Sequence, residues 1–202
     1  MREQFLYFLK ILGFVASLPL AAGTTISFFQ QMDALTAYNQ CFMWGVVTYA
    51  ALHIFVYEPR TVFQIGRGLA AGIFKFSPLF SEIMKFILPL YTLVLLIGLY
   101  VLAQMIKISP AWIQVMVFSV GLFAAMHIVL TARELYEEDT SLLKPHYFLV
   151  TGWVHVFVLA LVAAGLSVSF KEFSLVEFFR AAAKITVGVY VDAFTQLFAV
   201  KG

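Results

Sequence analysis

Two histidines of this chain share one local setting. "AALHIFVYEPR" at 50–60 and "AAMHIVLTARE" at 124–134 each run Ala-Ala, Leu or Met, then His-Ile, just before a hydrophobic run gives out. His53 stands five residues before Glu58, and His127 six before Arg133. At the helical rise these offsets put both rings about 7.5 to 9 Å from one boundary, at a common depth on two helices. His155 lies ten residues beyond Pro145, and His146 marks the entrance of that same segment. His146 and His155 are about two and a half turns apart, so they project from opposite faces and cannot ligate one ion together.

Imidazole inside a helical bundle has a short list of uses. Two neutral rings from different helices can hold a haem iron, and three or four His or carboxylate ligands can hold zinc or another transition metal. A ring can also carry protons or pair with a buried acid, or simply hydrogen-bond a carbonyl or a residue such as Glu58. The paired depth makes His53 and His127 the candidate ligands of one haem b, which would pass electrons to or from a quinone, with His155 as a secondary candidate. Tyr49, Ala50, Ala51, Phe123, Ala124 and Ala125 flank the pair, and Gly45 and Gly121 precede it, which leaves room for a flat ring or a close helix. All four histidines crowd toward one side, which argues against two haems.

The elements that must position these rings are apolar. Of the 202 residues 62% are hydrophobic and 12% charged, with a mean hydropathy of +0.94. A soluble domain is about 45–50% apolar and about 25% charged, so this chain cannot cover itself with polar groups in water. Segments at about 6–29, 40–57, 84–106, 111–132 and 147–168 each approach the about 20 residues that cross a bilayer core. A spanning segment must satisfy its own backbone, so the expected fold is all-α: a polytopic membrane bundle in one domain. The start, up to Phe29, has the flavour of a signal peptide but is long enough to be a retained first helix.

The connections differ in charge. Residues 30–40 hold no Lys or Arg, whereas 57–85 hold Arg60, Arg67, Lys75 and Lys85. This alternation places the N-terminus, the second connection and the fourth in the cytoplasm. Val62, Phe63, Ile65, Leu69, Ile73 and Phe74, interleaved with Gln64, Arg67 and Lys75, predict a short helix on the membrane surface. Pro19 and Pro89 are expected to kink the first and third spans.

The histidine pair belongs to a wider self-similarity. Lys10 lies 43 residues before His53, and Lys85 lies 42 before His127. Both units read as lysine, helix, connection, helix, His-Ile, which suggests a parallel repeat of about 5–60 and 83–134, followed by a C-terminal unit at 145–202. That last unit has Val187 where a histidine would fall. Its final segment carries Glu177, Arg180, Lys184, Asp192 and Gln196 mostly along one stripe. It reads either as an amphipathic helix in the interface or as a sixth span whose charged stripe faces the bundle interior or a partner, and these four charged residues are its candidate interaction sites.

Several classes fall away. One cysteine, Cys41, gives no disulfide framework, the net charge of +2 without a basic block gives no nucleic-acid footprint, and "GRGLAAG" has no strand before it. "RELYEED" brings Arg133 within reach of Glu137 on what should be a solvated face. No residues form a catalytic arrangement. The expected function is a membrane subunit that anchors or assembles a larger complex of membrane proteins, with one b-type haem as its concrete variant. The alternative is a small transporter or channel built on the repeat.

Overall fold

The computed structural model describes residues 2–55, 59–105, 109–140 and 144–198; Glu58 and Lys107 fall outside them. The described residues form eight helices and no strands: α1 (Arg2–Asp33), α2 (Thr36–Phe55), α3 (Arg60–Ile73), α4 (Pro78–Ile87), α5 (Leu90–Met105), α6 (Pro110–Glu138), α7 (Pro145–Ser169) and α8 (Leu175–Phe198). Gln4–Asp33, Pro110–Glu138 and Pro145–Ser169 are long and apolar enough to cross a membrane. Pro78–Ile87 with Leu90–Gln104 adds a fourth if that bent pair is one span. The expected count of five exceeds this by the second segment, 40–57: it runs past Phe55, where the described part of α2 ends, and α2 as described is not among these spans.

Glycines set the tightest packing. At the crossing of α2 and α6, a Cβ on Gly45 would fall on the carbonyl oxygen of Phe118, and a Cβ on Gly121 would fall on that of Phe42. Each glycine thus receives the backbone of the other helix one turn before the facing glycine. In lipid there is no hydrophobic gain from bringing two apolar helices together, so dispersion across such a close approach must hold them. Phe42, Val117, Val120, Phe28, Val158 and Leu166 fill the core around the crossing.

Helix α7 lies between α1 and α5, and α8 runs back along α1. The antiparallel α1–α8 pair is laced by polar side chains. Ser27 Oγ donates to Phe178 O at 2.6 Å, Thr186 Oγ1 lies 3.3 Å from Pro19 O, and the Tyr190 hydroxyl donates to Ala16 O. Gly23 permits this approach, since a Cβ there would lie 2.8 Å from Ala182 O. Phe178, Ala182 and Thr186 make the inward face of α8, while Glu177, Arg180, Lys184 and Asp192 are exposed. The charged stripe therefore does not face the bundle interior.

The expected third span departs most from a single rod. Pro19 leaves α1 one continuous helix, but at Pro89 the chain turns by 71° between α4 and α5. The surface-helix expectation for 62–74 becomes α3, which forms a hairpin with α4 and buries Phe63, Gly66 and Ala70. At the far side of this end, Asp139 caps α7 by accepting from His146 N at 3.0 Å and Tyr147 N at 3.1 Å. Lys144, at φ 43°, donates to Tyr136 O and Asp139 O and closes the end of α6.

Candidate functional site

The break at Pro89 explains the surroundings of His127. Leu88 is extended, as a residue before proline prefers, and proline has no N–H to continue the helix. In an unbroken helix the N–H of Leu90 would reach the carbonyl of Phe86, but here it bonds Leu88 O at 2.9 Å. Phe86 O is thereby released, and His127 Nε2 donates to it at 2.9 Å from α6. His127 is 5% exposed, so this bond satisfies a carbonyl that water would otherwise have to reach.

Beside it lies a charge pair that the sequence did not single out. Arg67 of α3 turns inward, forms an ion pair with Glu134 of α6, and lays its guanidinium 4.4 Å from the Phe86 ring and 5.6 Å from Phe63. Burial lowers the Arg67 pKa, and the neighbouring carboxylates of Glu138 and Glu82 oppose that shift. Arg67 is one turn from Phe63 and one turn from Ala70, on the buried stripe of α3, and that spacing was the available signal. Around it Arg60 lies 3.3 Å and Arg133 3.0 Å from Glu137, the latter as the spacing in "RELYEED" anticipated.

The two matched histidines have different neighbours. His53 is half-buried and stacks on Tyr49 with ring centroids 5.9 Å apart, whereas the Phe63 ring lies 5.8 Å from His127. Tyr49 and Phe63 belong to one buried cluster with Met126 and Leu130. The helices that carry the pair do touch, as their glycines show. Yet the cavity lined by His127, Arg67, Thr92 and Tyr91 holds about 10 Å³, room for one water and not for a macrocycle. A haem iron would also need the Nε2 lone pair, and this nitrogen is directed at Phe86 O.

His155 is tied elsewhere. Its Nε2 lies 2.8 Å from Thr25 Oγ1, and the Thr25 hydroxyl donates to Ala21 O at 2.7 Å. With the hydroxyl proton so committed, Nε2 is the donor, and the pair joins α7 to α1. Among the described residues no three His, Cys, Asp or Glu side chains converge as metal ligands would. Glu177 and Arg180 pair with each other on α8; Lys184 and Asp192 form no ion pair among the described residues.

The site can therefore do two things chemically. It stabilises a broken helix through His127, and it fixes a half-buried guanidinium against α6. Compared with protein-family models, curated proteins and solved structures, the chain matches none.

Proposed function

We propose that this chain is a non-catalytic integral membrane subunit that anchors or assembles a larger membrane complex. The observation that carries this reading is α8. It is fastened along α1 by one face only, and its other face presents Lys184 and Asp192 beside Val176, Phe179, Val187 and Phe194. A surface mixing bare charge with large apolar side chains suits neither lipid nor water, but it suits other membrane helices. The haem-carrying, quinone-linked variant of this reading would require the His127–Phe86 bond to be exchanged and Tyr49 and Phe63 to be displaced; the anchoring role requires neither.

A transporter or channel is the second reading, favoured by the α4–α5 break. Discontinuous helices expose backbone groups where substrates and coupling ions bind. Here the freed Phe86 carbonyl is held by His127, which supports a structural use of the break. Extraction from native membranes in mild detergent, followed by two orthogonal separations, tests the choice. Companion chains at constant stoichiometry support the subunit; a lone chain that moves solute in liposomes overturns it.

A further inference from the structure

The structure assigns α8 a partner: we infer that a transmembrane helix of a different protein packs along its outward stripe, with a basic residue facing Asp192 and an acidic one facing Lys184. This deepens the subunit reading and rests on it. The depth of the stripe follows from the lacing to α1. Tyr190 reaches Ala16 and Thr186 reaches Pro19, both near the middle of the apolar run of α1, so Gly188 lies level with the centre of that helix, with Lys184 and Asp192 about one turn to either side. Although α8 is not among the helices apolar enough to cross a membrane by themselves, its 24 residues extend about 36 Å, so it can follow α1 through a bilayer core of about 30 Å once a partner covers its charges.

Lys184, Gly188 and Asp192 follow one another at four-residue spacing, and Thr195 comes three further on, so all four share one side. A Cβ on Gly188 would meet nothing within 4 Å, which leaves a gap between the two charges for another backbone to enter. Two bare charges of opposite sign at membrane depth need partners of opposite sign in reversed order.

A second copy does not supply that order. Copies inserted in the same sense pair about an axis along the membrane normal, which sets Lys184 against Lys184 and Asp192 against Asp192. Like charges facing one another across an interface oppose association. The complementary occupant is a helix from another chain.

The test places a photoreactive phenylalanine analogue at Gly188, and a control at exposed Val94 of α5, in full-length protein within native membranes. We expect one discrete adduct from position 188, heavier by the mass of a different chain and absent from position 94. Its yield should fall by about tenfold or more in Asp192→Lys and persist in Asp192→Glu. An adduct of twice the chain mass, or one indifferent to Asp192→Lys, overturns the inference. So does labelling of Asp192→Cys, in a Cys41→Ser background, by a membrane-impermeant maleimide, because α8 would then lie in water. Companions that co-purify without any adduct at 188 remove this docking face and leave the subunit reading standing. Absence of companions removes both.

Discussion

His127 on α6 donates to the carbonyl of Phe86 across 2.9 Å, and that carbonyl is free only because the chain breaks at Pro89. A proline and a histidine 38 residues apart thus form one device: the first opens a helix and the second closes the opening. His127→Ala should destabilise the fold by about 1–3 kcal/mol, the usual cost of leaving a buried acceptor unsatisfied. Denaturation in mixed micelles measures this. A variant as stable as the parent would show that the His127–Phe86 bond does not hold the break.

The same bond predicts an optical result. With Nε2 engaged and Tyr49 and Phe63 packed beside it, purified protein should show no Soret absorbance. A reddish preparation whose band disappears in His127→Ala would show that the pair holds haem after all.

At the α2–α6 crossing, Gly45→Ala and Gly121→Ala each drive a Cβ into a backbone carbonyl that cannot rotate away. Each should cost about 1–3 kcal/mol or more. Gly68→Ala in the middle of α3, where nothing lies within 4 Å, should instead stabilise by about 0.5–1 kcal/mol through helix propensity. The contrast in sign is the readout. Equal effects at all three positions would mean that the crossing is not as close as described.

Arg67 and Glu134 should behave as a unit. Their side chains keep 15% and 23% exposure, so removing one partner should cost less than the about 3–5 kcal/mol of a fully buried pair. Arg67→Met or Glu134→Leu alone should destabilise by about 1–3 kcal/mol, and the double variant should recover most of it. Additive losses in that cycle would mean the two charges are independent.

Much of this was legible in the residues. Run length and charge gave the apolar helices, and the amphipathic pattern after Arg60 gave α3. The matching glycines before the two histidines did mark helices that meet. The opposite fates of Pro19 and Pro89 were not legible, because both are prolines in apolar runs and only packing decides which run stays straight. Nor was the divergence of the histidines: equal depth fixes height along a helix, whereas the ring's partner depends on which neighbour stands at that level. His53 met Tyr49 on its own helix, and His127 met a carbonyl from α4. The outward turn of the α8 stripe depended on Phe178, Ala182 and Thr186 finding α1, a long-range choice that periodicity alone cannot make.

The proposed role makes this chain part of a heteromeric membrane complex. Native mass spectrometry of the particle released from membranes in mild detergent measures it directly. The expected mass is one copy of this chain, or a small whole number of copies, plus at least one different polypeptide at fixed ratio. A particle made of this chain alone, unchanged across detergents, would rule that role out.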